Sequence, residues 1–376
     1  MITSLIIFQG AGSWQQIVGA SQGVAETVGA VHIALAFTLG SICQLIFQAI
    51  FIQKNGLGRI FTIRLRWKDF LGVLDVFQVL VPATIASTML QIASYTDFFF
   101  ASSSPGAAAT ILCASMVVTA PVGLLSNVII IPHVPRLAEL AASRRWKDFS
   151  SAASYMLMSA INLGLPLSIS IFAFAGDITK AVYERKAFTA AATSYMTPVV
   201  MANAVGVVFY LARDVLVRSM YALGKGTFPA FVSVGALFLN AALDACFCAT
   251  VPHLAFGLVS ATVIVSAVST VLLFLSARAH LHKRGCTLLD PELVRFAPQS
   301  AAAAVAAGAY CVLCRRLLLP AVRAFLDGHV GSSWLSWGGN TLTTGIAVVS
   351  TWLVYFVVLG WGAATGRELF NKGELD

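Results

Sequence analysis

The sequence predicts an all-α, polytopic helical membrane protein with about nine transmembrane helices, and three observations carry that reading. Hydrophobic residues make up 58% of the chain and charged residues only 11%, with a mean hydropathy of +0.85; soluble domains carry roughly 25% charged residues. Apolar windows long enough to cross a bilayer as a helix, about 20 residues, recur along the whole length. Those windows are continuous runs, without the ~10-residue alternating segments of a membrane β-barrel.

The elements follow in order. Residues 1–26 are too polar to span and have neither the basic n-region nor the cleavage site of a signal peptide; they read as a non-spanning N-terminal segment. The first span is 27–52, followed by a basic linker at 53–73. Six spans with short connections, at 74–102, 107–131, 151–175, 195–222, 229–249 and 255–279, form one compact lobe over 74–280. A loop at 281–296 leads to two C-terminal spans within 297–364, at 297–314 and 340–364, and a tail at 365–376. Pro82 and the pair Pro121-x-Gly123 fall inside spans and should bend them. Bent membrane helices line cavities in many transporters, and equally serve packing alone. Gly224 to Pro229 (GKGTFP) reads as a turn followed by a helix start.

Charge sets the expected orientation. Lys54, Arg59, Arg64, Arg66 and Lys68 crowd one loop, Arg136, Arg144, Arg145 and Lys147 a second, and Lys283, Arg284 and Arg295 a third. Alternating spans put all three on one side, which the positive-inside rule makes cytoplasmic or stromal. The loops near 103–106 and 250–254 hold no Lys or Arg, and 176–192 is mixed. Arg315, Arg316 and Arg323 fall on the outer side, against the rule. The first span then starts outside and ends inside, an unusual opening that leads us to expect further sequence before Met1. The net charge of +8 thus follows the membrane, and no basic-aromatic interleaving points to nucleic acid.

No Gly-rich phosphate loop, catalytic triad or metal cluster appears, so nothing reads as an enzyme and no cofactor is expected. The seven cysteines fall mostly in apolar runs. Cys311 and Cys314 form a C-x-x-C without a second pair to complete a metal site, and read as small buried hydrophobes.

Three polar residues stand out inside the spans. Asn240 and Asp244 sit four apart in an apolar run of bilayer length, so a helix stacks them on one face. Asp97 lies alone in a second run. A carboxylate at mid-membrane costs about 2.5–3.5 kcal/mol on insertion scales, and such residues usually serve a proton, a cation or a substrate. Two acids protonated and hydrogen-bonded for packing are the plain alternative.

Local words then resemble a known family. Ala93–Leu137 (ASYTDFFFASSSPGAAATILCASMVVTAPVGLLSNVIIIPHVPRL) looks like the seventh and eighth helices of the MurJ/MviN lipid II flippases, of the MOP superfamily. Val182–Thr189 (VYERKAFT) resembles that family's outer loop, and Arg218–Pro229 (RSMYALGKGTFP) its R-x-x-Y-A-L-G-D-T-x-x-P word. The resemblance runs from about Ala34 to the C-terminus. It implies two six-helix lobes plus two helices that give a groove for the lipid tail. This chain would begin near the sixth helix, lacking most of the N-terminal lobe and its headgroup-binding arginines.

Position by position, the resemblance implies a sodium site on Asp97, Asn240, Asp244 and Thr262, with Na+ or H+ as coupling ion. The eighth-helix arginine of bacterial members falls on Met116, and the Gly-Asp-Thr turn has become Gly224-Lys225-Gly226. Arg213 and Arg218 are then the basic candidates for a substrate cavity, Arg218 with membrane anchoring as its plainer role.

The implied function is cation-coupled, alternating-access transport of a polyprenyl-diphosphate-linked peptidoglycan precursor. Its partners would be that undecaprenyl- or polyprenyl-linked substrate, membrane lipid and the missing lobe. The expected location is the bacterial inner membrane or, from cysteine richness and motif drift, a plastid envelope. The alternatives are a MATE-type cation-coupled exporter of small molecules and an inactive fragment or scaffold.

Overall fold

A computed structural model describes residues 22–54, 92–185, 188–288, 297–318 and 333–360, with isolated helical positions at 77, 80, 81, 84, 88 and 320. The described residues contain helices and turns and no strand. Seven helices among them are long and apolar enough to cross a membrane. The chain divides into two units, Met1–Asp75 and Val76–Asp376. The first contributes one 33-residue helix, α1 (Gln22–Lys54), which contains the expected 27–52 span and ends on a basic residue, Lys54. The linker at 55–73, Pro82 and the tail lie outside the described residues.

The second unit opens with helical residues 92–101 (α2), and a short turn at 102–106 leads into α3 (Ala107–Leu125). Pro121 lies within α3 and removes one donor from the helical ladder. A π-helical turn, Ser126–Ile130, follows; such turns commonly absorb local breaks in the ladder. The helix then continues as α4 (Ile131–Ala142). The run is thus 36 residues long and passes well beyond the expected end at 131. The amphipathic α4 carries it past the roughly 20 residues that a bilayer needs.

α5 (Trp146–Ala173), the short α6 (Ala175–Tyr183), α7 (Ala190–Ala222), α8 (Thr227–Thr250) and α9 (Leu254–His282) complete the lobe. α5 and α7 are central: 50% and 56% of their spanning windows are buried, against 17% for α3–α4 and 22% for α8. Thr189 caps α7, accepting a hydrogen bond from the Ala192 amide. Gly224, at φ +72°, closes it in the left-handed conformation that glycine adopts without a Cβ clash. The turn expected at 224–229 is therefore present, with α8 starting at Thr227.

The start of α5 and the segment after α9, both flanked by basic residues, meet at one end of the bundle. The Arg284 guanidinium lies over the Trp146 ring, 3.8 Å from its centroid. The Ser150 and Ser154 hydroxyls donate to the Thr287 and Leu288 carbonyls. The segment after α9 is thereby tied to the start of α5. α10 (Ala297–Leu313), a π turn at Cys314–Leu318 and α11 (Ser333–Leu359) pack on each other and on α5. Ser300 donates to Asn162 Oδ1 at 2.7 Å, a polar tie between α10 and α5. Such ties hold membrane helices together where apolar burial gives little preference.

Candidate functional site

Asp97, Asn240, Asp244 and Thr262 come from three different helices, α2, α8 and α9, and meet in one cluster. The Asn240 amide nitrogen donates to Asp97 Oδ1 at 2.6 Å and to Asp244 Oδ2 at 2.9 Å. Thr262 Oγ1 donates to the other oxygen of Asp97 at 3.0 Å, and lies 3.3 Å from the Leu258 carbonyl. The two carboxyl groups thus share one amide nitrogen. Asp244 is fully buried, Asn240 and Asp97 nearly so.

Helical spacing explains half of this arrangement: Asn240 and Asp244 are one turn apart on α8, so one amide can serve its own helix and its neighbour. A close approach of backbones supplies part of the rest. A Cβ on Gly257 would lie 3.2 Å from Phe247 Cβ and 3.3 Å from Val251 Cβ, so glycine there lets the start of α9 seat against the end of α8.

The charge balance of the cluster is unfinished. Asp244 Oδ1 is buried and accepts no hydrogen bond, and among the described residues no Lys or Arg is paired to either acid. Two buried carboxylates held on one amide repel each other, and an orphaned oxygen adds a further desolvation cost. A proton or a small cation between the carboxyl groups relieves both. Oxygens of Asp97, Asp244 and Thr262 suit a hard cation. The Asn240 amide, which presents nitrogen to both acids, would have to turn to offer its oxygen. Among the described residues no group of three or more His, Cys, Asp and Glu is placed to hold a metal ion.

The other candidates lie elsewhere. Arg213, on α7, donates to Ser233 Oγ on α8 at 3.2 Å. Arg218 is held by Asp214, one turn before it, through bonds of 2.8 and 3.2 Å. Asp214 also accepts from Ser126 Oγ at 2.5 Å, so the Asp214–Arg218 pair grips the π turn that follows α3. Arg218 is therefore held in an ion pair with Asp214. Met116 is exposed on α3, and a thioether offers an anion nothing.

The sequence reading did not find the Ser126–Asp214–Arg218 cluster, although the i, i+4 spacing of Asp214 and Arg218 was a usable signal. It also passed over a polar ladder beside α3, in which Tyr210 donates to Asn203 Oδ1 at 3.0 Å and the Asn203 amide reaches Ser115 Oγ at 3.5 Å. No local spacing joins Ser115 to Asn203.

Fold and site together define a multi-pass helical membrane protein whose helix bundle buries an amide-bridged acid pair. The family model described as lipid II flippase MurJ matches residues 1–323, and the chain belongs to that family, which sits in the bacterial inner membrane. It is 38% identical over 237 residues to the probable lipid II flippase MurJ of Synechocystis sp., covering 63% of this chain and 44% of that protein. With the probable lipid II flippase MurJ of Vibrio cholerae it shares 25% identity over 337 residues, 88% of this chain and 60% of the relative. A solved structure titled lipid II flippase MurJ, inward closed conformation, aligns over 92% of this chain and 64% of its own, with a TM-score of 0.58 at 19% identity; that likeness speaks to the fold. The chain spans about half the length of the curated relatives it matches.

Proposed function

We propose that this chain supplies the cation-coupling lobe of a lipid II flippase. One observation carries the coupling: a single amide bridges two buried acids from different helices, beside an unpaired carboxylate oxygen and, among the described residues, with no basic partner. Family membership supports the substrate class, a peptidoglycan precursor on a polyprenyl diphosphate, and it speaks against the small-molecule exporter. Sodium or a proton would be held by Asp97, Asp244 and Thr262, with Asn240 turning its amide to join them. Neutralising the pair there would let α2, α8 and α9 pack closely, and so favour one facing state of an alternating-access cycle. The bias can be no larger than the cation's difference in affinity between the two states. Arg213, which donates to a neutral hydroxyl, is a candidate cation for a phosphate in this lobe.

The test uses the complete gene product. It should restore growth to a bacterium depleted of its own lipid II flippase, and should move labelled lipid II across proteoliposomes faster under a sodium or proton gradient. Asp244→Asn, which keeps shape and polarity, should fold normally and lose the gradient dependence. Unchanged gradient dependence in that variant would remove the coupling role; failure of the wild type to rescue or transport would remove the substrate reading.

A further inference from the structure

A cleft of about 560 Å³ opens on the flank of the second unit, away from the acid cluster, between α5, α7 and α10. Ile169 and Phe172 of α5, Met201 and Val205 of α7 and Val312 of α10 line it. Three of these, Phe172, Val205 and Val312, stay 43%, 46% and 53% exposed, so the cleft opens toward the bilayer. Its volume lies in the range of ligand pockets. The polar atoms in its wall are already engaged: Ser168 Oγ donates to the Ala204 carbonyl at 2.8 Å, and Cys311 Sγ lies 3.3 Å from Thr351 Oγ1. The interior therefore suits a hydrocarbon chain and offers nothing to a polar ligand. At Gly308 an added Cβ would meet no atom within 4 Å, so glycine leaves the floor open.

One charge stands at the mouth. Arg315 lines the cleft from the π turn after α10, and one of its terminal nitrogens reaches the Ala173 carbonyl at the end of α5, at a long 3.5 Å. The rest of the guanidinium remains exposed. This end of the bundle lies opposite the basic loops, since α5 runs from Trp146, under Arg284, to Ala173, under Arg315. Arginine there runs against the positive-inside rule, and a reason for it is wanted.

We propose that the cleft is a binding site for an anionic phospholipid of the outer leaflet, with an acyl chain between α5, α7 and α10 and its phosphate on Arg315. A guanidinium pairs with phosphate through several N–H groups at once, and an apolar cleft beside it fixes the chain. A cleft of this size holds a stretch of one acyl chain, and its exposure on the flank puts it within reach of bulk phospholipid, the occupant we assign to it. The site is independent of the transport reading.

Native mass spectrometry of the purified protein, equilibrated with phosphatidylglycerol or with diacylglycerol of matched chains, which has no phosphate, tests it. The wild type should retain phosphatidylglycerol about tenfold better, the worth of one charge-assisted hydrogen bond. Arg315→Gln should bring the two lipids to parity. Gly308→Leu, which fills the floor without a clash, should displace both, while Arg316→Gln should change little. Equal retention of both lipids by the wild type, or an equal effect of Arg316→Gln, would show surface charge rather than a site and overturn the proposal. So would preferential retention of undecaprenyl phosphate over phosphatidylglycerol.

Discussion

At Asn240, two acids from two helices depend on one amide nitrogen. Removing it leaves both carboxyl groups buried with fewer donors, at a cost of about 1–3 kcal/mol for an unsatisfied polar group. Asn240→Leu should therefore lower the thermal unfolding midpoint in detergent clearly, and Asn240→Gln should recover part of the loss. Equal melting of wild type and Asn240→Leu would mean that the bridge holds nothing. Asn240 and Asp244 could be read as partners from their spacing alone. That Asp97, 143 positions away from Asn240, shares the same amide could not, since no periodicity links separate helices.

Among the elements, α7 and α8 show how local sequence sets helix ends. Gly224 sits at φ +72° just after α7, where a side chain brings a clash of roughly 1–2 kcal/mol. Gly235 lies inside α8 with open space around its missing Cβ, where alanine gains about 0.5–1 kcal/mol of helix stability. Gly224→Ala should lower the melting midpoint and Gly235→Ala should raise it, and opposite signs in one melting series are the check. The π turn at Ser126–Ile130 is a different case. Pro121 announced a bend, but its position was settled by Asp214 gripping Ser126 from α7, a contact 88 residues apart in sequence.

At the scale of the whole molecule, orientation follows from where these basic-flanked segments meet. Arg284 over Trp146 places the segments around 143–146 and 283–286 at one end, and α5 carries the chain to the other, where α6 lies. In a cysteine-free background, Ser143→Cys and Lys283→Cys should label from the cytoplasmic side with a membrane-impermeant maleimide. Arg185→Cys should label only from the opposite side. Labelling of Ser143→Cys and Arg185→Cys from the same side would refute this orientation.

Composition and the length of apolar runs were enough to determine a helical membrane protein, because a bilayer leaves a chain no other way to satisfy its backbone over so many residues. Three stretches in order and spacing pointed to the family, and acids in apolar runs marked Asp97 and Asp244, with Asn240 one turn from the second, since an ionisable group in hydrocarbon is too costly to be incidental. Tertiary structure alone decided which of these residues meet, that Arg218 spends its charge on Asp214, and that an open cleft lies beside Arg315. Those outcomes depend on how helices distant in sequence pack side by side, and the period of 3.6 residues that makes a single helix legible carries no record of its neighbours.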